Sequence, residues 1–186
     1  IRFDKYPGYG SEFYAYPIQE NFGSELNLFA EEEVPASGGV NSEYGLALKA
    51  SFPGWDFSLN HADYFDDLAR IVWELKQTPQ RAGLKPKSSV HDRLRMNGAG
   101  ISVIGGRSWL WNIEFALLSG FQFYGTEKFY QRADLFFALE YAGFSDASLT
   151  VEVSQQNIFN FEARLATAPN YVDEHTLLSS LGYRQD

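Results

Sequence analysis

WLWNIEFALL, residues Trp109 to Leu118, decides the fold, together with Ile101 to Ile104 across the short turn Gly105-Gly106-Arg107. Read with period two, Trp109, Trp111, Ile113, Phe115 and Leu117 fall on one face, and Leu110, Asn112, Glu114, Ala116 and Leu118 on the other. One face is wholly apolar. The other carries an amide and a carboxylate in mid-strand, as the lumen side of a membrane barrel does.

The same alternation recurs along the chain. Tyr44, Leu46, Leu48, Ala50 and Phe52 share a face, the turn Pro53-Gly54 follows, and Trp55, Phe57 and Leu59 continue on the same side, with Phe52 expected beside Trp55. A strand over about 93–104 places Ala99, Ile101 and Val103 on the apolar face. A three-residue turn at Gly105–Arg107 predicts the pairs Val103–Trp109, Ile101–Trp111 and Ala99–Ile113. Further strands are expected over 132–142, with Leu135, Phe137, Leu139 and Tyr141 on one side, and over 148–157, with Leu149, Val151 and Val153 against them. A seventh is expected over 176–184, where Leu177, Leu181 and Tyr183 compete with Leu178 for the apolar face. Residues 1–43, rich in Tyr, Pro and Gly, read as a loop or arm preceding a β-barrel segment over 44–186. In the long insert 63–89, Leu68, Ile71, Val72 and Leu75 have helical spacing and predict one short amphipathic helix.

The connections alternate between short (53–54, 105–107, 143–147) and long (63–89, 119–131, 158–175). In an antiparallel meander, alternate connections lie at one end, so the expected molecule has an end of tight turns and an end of extended loops, as outer-membrane barrels do. The fold class expected is all-β: an antiparallel up-and-down meander forming a transmembrane β-barrel or a piece of about seven strands of one.

Orientation follows from charge. Lys49, Asp56, Asn60, Asn112, Glu114, Arg132, Asp134, Glu140, Glu152 and Gln156 share the polar face and are expected to line a lumen, since burial in a dry core would cost several kcal/mol for each unpaired charge. Leu46, Leu48, Phe57, Ile101, Trp111, Ile113, Phe115, Phe137, Leu139 and Val151 are expected to face lipid. Aromatic residues make up 17% of the chain, and Tyr44, Phe52, Trp55, Trp109, Tyr141 and Tyr183 near strand ends suit interfacial girdles.

Composition excludes several classes. No run approaches the roughly 18 apolar residues of a membrane helix. The chain has no cysteine, hence neither disulfides nor thiolate chemistry, and its net charge of −9 opposes nucleic-acid binding through phosphate neutralisation. His61, His91 and His175 are dispersed, and only His91 has an acidic neighbour, Asp92. No nucleophile elbow, P-loop or zinc-protease motif occurs. Asp63, Asp66, Asp67 and Glu31–Glu33 lack the spacing of a calcium loop. No catalytic residue, metal or cofactor is therefore expected.

The runs SEYGLALKASFPGWDFSLNHADYFDD, GISVIGGRSWLWNIEFAL and RADLFFALEYAGFSDASLTVEVSQQNIF resemble a family of Gram-negative outer-membrane barrels of unknown function. The resemblance extends from about Tyr9 to the C-terminus. It is most specific at Glu43-Tyr44-Gly45-Leu46, at Gly54-Trp55-Asp56 and at Glu140–Asp146. It implies a porin-like protein of the cell outer membrane, in contact with outer-membrane lipid and associated with exporters of the resistance-nodulation type or periplasmic partners. It brings no catalytic residues. Members of that family look longer, so this chain resembles an internal piece whose edges need partners. Three functions are carried forward: a porin-like channel or exporter component passing small solutes, a plugged structural or adhesion barrel, and a soluble ligand-binding β-barrel. Excess acidic residues on the polar face predict weak cation preference for an open pore.

Overall fold

Alternating side chains produce strands here because each face gains a uniform environment, and the backbone hydrogen bonds then lock the register. The computed structural model describes residues 31–33, 35–36, 38–77, 82–167 and 169–185. Most of the arm expected over 1–43, namely 1–30, 34 and 37, lies outside them. The described residues contain ten strands, two 3-10 turns (Gly39–Asn41 and Ala163–Ala166) and no α-helix. They fall into two compact units, one holding a three-stranded sheet and the other a seven-stranded sheet.

The larger sheet is built from β2 (Tyr44–Phe52), β3 (Trp55–Phe65), β6 (Arg93–Gly105), β7 (Trp109–Phe121), β8 (Tyr130–Tyr141), β9 (Ala147–Ile158) and β10 (His175–Gln185). Its order is β10-β9-β8-β7-β6-β3-β2, so each strand lies beside the preceding strand of the same sheet. The pairings with resolved register are antiparallel. Among the described residues β2 and β10 are edges, and the sheet is not closed into a barrel. Phe52 pairs with Trp55, as the two-residue turn requires, and their rings stack at 4.3 Å. Adjacent tight turns lie at the same end, where Ile104 N–H donates to Gly54 O and Ala142 N–H to Ser108 O.

The register of β6 and β7 differs from the expected one by two residues. Gly105 pairs with Trp109, Val103 with Trp111, Ile101 with Ile113 and Ala99 with Phe115, so the turn is Gly106–Ser108. Gly106 holds the left-handed conformation (φ 65°) that favours glycine. Gly105 stays in the strand, where a Cβ would sit only 3.0 Å from Trp111 Nε1. A shift of two preserves the faces, so the apolar and polar sets stand as read. At the other end of β7 a bulge at Gly120 (φ 114°) lets the backbone approach Arg93 O so closely that a Cβ would lie 2.3 Å from it.

The helix expected from Leu68, Ile71, Val72 and Leu75 does not form. Arg70–Gln77 is strand β4, which pairs antiparallel with β5 (Ala82–Val90), and β1 (Glu31–Glu33) pairs parallel with β5. The β-branched pair Ile71-Val72 followed by Trp73 favours a strand, and the hairpin supplies the hydrogen-bonding partner. Pro86 has no N–H for the ladder, and the register shifts between Val72 and Trp73 so that Trp73 opposes it. Within this smaller unit Arg70 grips Asp92 through Nε (2.7 Å) and Nη2 (2.8 Å).

Candidate functional site

The seven-stranded sheet has two chemically distinct faces, fixed residue by residue by its register. On the apolar face, Leu46 and Leu48 of β2 lie opposite His61 and Leu59, and Phe57 lies opposite Ala50. The set continues through Ile101–Ile113–Phe137–Val153, Val103–Trp111–Leu139–Val151 and Ala99–Phe115–Leu135. All ten residues expected to face lipid share this face. It is uncovered: Leu48 is 62% exposed, Phe115 46%, Ile113 44%, Trp111 41% and Val151 37%. Side chains of this kind would be buried in a soluble sandwich. In β10, Leu177, Leu181 and Tyr183 fall in phase with Gln155, Val151 and Leu149, while Leu178 opposes Ser154 on the other face.

An aromatic row borders the apolar face at the tight-turn end. Trp109, Tyr141, Leu149 and Tyr183 are in register across β7 to β10, with Trp109 and Tyr141 rings 4.5 Å apart and Phe144 edge-on to Tyr141 at 5.0 Å. Phe52 and Trp55 extend the row at the opposite edge of the sheet.

All ten residues expected to line a lumen share the opposite face. Lys49 pairs with Ser58, Asn60 with Ala47, Asp56 with Ser51, Asn112 with Ser102 and Glu114 with Gly100. Asp134 lies between Ala116 and Gln156, Glu152 opposes Ala138, Glu140 opposes Leu110, and Arg132 opposes Leu118. An open depression of about 400 Å³ lies on this face, lined among others by Lys49, Asn60, Glu114, Asp134 and Gln156. Small residues make the room: Gly98, Gly100 and Ala116 belong to the same lining. Arg132 grips Asp134 through Nε and Nη2, both at 2.8 Å, and Ser180 Oγ donates to Glu152 Oε2 at 2.9 Å.

The polar face changes character toward the long loops. Leu94, Leu118 and Tyr130 are each at most 6% exposed there, and the Arg132 guanidinium stacks on Phe121 at 4.9 Å. Beyond them the loop 122–129 is clamped to residues 159–167 and 169–174. Glu162 accepts from Lys128 Nζ (2.8 Å) and Tyr130 Oη (3.1 Å) and meets Arg164 Nη2 at 2.7 Å. Asn170 exchanges two hydrogen bonds with the Tyr124 backbone, and Arg164 donates to Gly125 O. The hydrogen bond from Lys128, reinforced by its charge, holds the Glu162 carboxyl below its ordinary range. The same bond raises Lys128.

Sequence reading missed a polar corner on the apolar face. Asp63, at the long-loop end of β3, is 6% exposed and ion-paired with Arg93, and Arg95 lies 3.7 Å from its second oxygen. His61 Nδ1 and Asn97 Oδ1 are 2.8 Å apart beside it. The signal was present in the parity of Arg93, Arg95 and Asn97 with Ala99 and Ile101. The other histidines sit elsewhere: His91 Nδ1 is 2.6 Å from Asp66 O, and His175 Nδ1 is 2.8 Å from Asn157 Oδ1. Asp92 turns both oxygens to Arg70. Among the described residues no group of three or more His, Asp or Glu could hold a metal, and no helix is long and apolar enough to cross a membrane, which leaves β-strand crossing open.

Comparison of the chain with protein-family models, with curated proteins and with solved structures found no match.

Proposed function

We propose that this chain forms part of the wall of an outer-membrane β-barrel, its apolar face against acyl chains and its polar face along a lumen that passes small solutes. One observation carries the reading: large apolar residues on seven adjacent strands are exposed, while charged and amide side chains lie on the face that holds the depression. A soluble fold has the opposite arrangement. The extent of the band supports it as well. Trp109 to Leu117 covers about 27 Å of strand, which at a tilt of about 40° gives about 20 Å, close to the apolar band of such barrels. The exposed aromatic row at the tight-turn end matches an interfacial girdle.

In hydrocarbon the open edges of β2 and β10 need hydrogen-bonding partners, so further strands would complete the wall. On the polar face the Arg132–Asp134 pair cancels. Asp56, Glu114, Glu140 and Glu152 then outnumber Lys49 and Arg184, which lies opposite Ser148 on this face, and the excess favours cations. A periplasmic or exporter partner, implied by the family resemblance, would meet the tight-turn end, since short turns lie on the periplasmic side of such barrels.

The test is reconstitution into planar bilayers. The expected outcome is dependence on detergent for solubility and stepwise conductance with modest cation preference. A chain that is monodisperse in plain buffer would overturn the membrane reading in favour of a soluble binder. The packed Leu94, Leu118 and Tyr130 favour a second reading, a plugged barrel, which folding into bilayers without conductance would establish.

A further inference from the structure

The apolar face carries its charges at one place. Among the described residues no Asp, Glu, Lys or Arg occupies this face between the aromatic row and the first wholly polar register, Arg95–Ser119–Gln131. At that boundary stand Arg93, Arg95 and Asp63, in a chain whose net charge is −9. Their division of labour is visible. Arg93 makes the close ion pair with the buried Asp63, whereas Arg95 is 61% exposed and only loosely placed at 3.7 Å. Tyr44, opposite Asp63 in the register, is 55% exposed and supplies an aromatic ring at the same level. Arg95 lies opposite Ser119, one register beyond Leu117, where the apolar band ends and headgroups would begin.

We propose that this corner, with Arg95 as its principal contact, binds the phosphate of an anionic lipid headgroup in the leaflet on the long-loop side. The planar Arg95 guanidinium forks onto phosphate oxygens, Asp63 holds Arg93 beside it, and Tyr44 packs along the glycerol region. The proposal rests on the membrane reading above.

The test uses the full chain in detergent micelles supplied with equal amounts of phosphatidic acid and phosphatidylcholine, and counts retained lipid by native mass spectrometry. The parent should retain phosphatidic acid over phosphatidylcholine. Arg95→Gln should lower that preference about fivefold, the effect of one interfacial cation, and Arg95→Lys, which keeps the charge but not the fork, should restore only part of it. Inorganic phosphate at the same concentration should not displace the lipid, because it lacks the chain held by the apolar face. Equal retention of both lipids by the parent, or an unchanged preference in Arg95→Gln, overturns the proposal, as does displacement by inorganic phosphate. Insertion of parent and variant into phosphatidylcholine vesicles, followed by protection from protease, reports separately on the membrane reading. Failure there refutes the wall, whereas insertion without lipid preference refutes only the headgroup site.

Discussion

Val151 and Thr150 are neighbours in β9 whose side chains leave on opposite faces, Val151 in register with Leu139 and Thr150 with Glu140. On the proposed wall they would sample two solvents within one residue of chain. In a bilayer, an arginine at Val151 would place a guanidinium among acyl chains near the middle of the band, at a cost of about 2 to 4 kcal/mol. At Thr150 the same arginine would enter water beside Glu140 and Glu152, and little change is expected. Urea unfolding in lipid vesicles, followed by tryptophan fluorescence, measures both substitutions. Equal loss at the two positions would mean that the faces see one environment. Phe137→Arg, on the same face as Val151, should repeat the larger loss. At this scale the faces of β7, β8 and β9 were legible, because a period-two pattern assigns faces without knowledge of turn lengths, whereas β10 was not, because Leu177 and Leu178 point to opposite faces.

Elements were legible only where alternation ran unbroken. β7 and β8 could be read directly, and even the two-residue displacement of β6 kept every side chain on its face. β4 and β5 could not, because Pro86 and the polar run Lys85–Ser89 break the alternation, and Leu68, Ile71, Val72 and Leu75 fit a helix as well as a strand. The polar corner was obscured for another reason. Asp63 and Arg93 are distant in sequence and meet only because β3 and β6 are neighbours in the sheet. The loop clamp was hidden likewise, since Lys128 and Glu162 belong to different connections. Its pH response follows from the direction of the two shifts. Glu162 has its carboxyl held below the ordinary value of 4.5, so its contribution is complete above that value and is lost as pH falls through the depressed folded one. Lys128 is raised above 10.5, so its contribution is complete below that value and lost as pH rises through the raised one. Between these limits, protease protection of 122–129, 159–167 and 169–174 should be level, and it should fall on the acid side. Glu162→Gln should lower the plateau and remove the acid limb. An acid limb that survives in Glu162→Gln would locate the titration elsewhere.

For the whole molecule, the decisive property is the phase of exposure across seven strands, and the absence of cysteine makes it measurable. Single cysteines introduced at Asn112, Ile113, Glu114 and Phe115 would each be the only thiol in the protein. In vesicles, a membrane-impermeant maleimide should label the positions at Asn112 and Glu114 and leave those at Ile113 and Phe115 unlabelled, because water reaches the first pair through the lumen and acyl chains cover the second. The same alternation should appear in β9, with Glu152 labelled and Val151 and Val153 protected. In β6 the protected phase should end at Asn97 and Arg95, where the proposed wall would meet headgroups, so single cysteines at both would label. Transfer to detergent-free buffer removes the acyl chains, and the exposed face of every strand must then find another cover, by aggregation or by edge pairing of β2 and β10. Labelling with the opposite phase, protected at Glu114 and open at Phe115, would put water on the apolar face, and the pore and the headgroup site would both be abandoned.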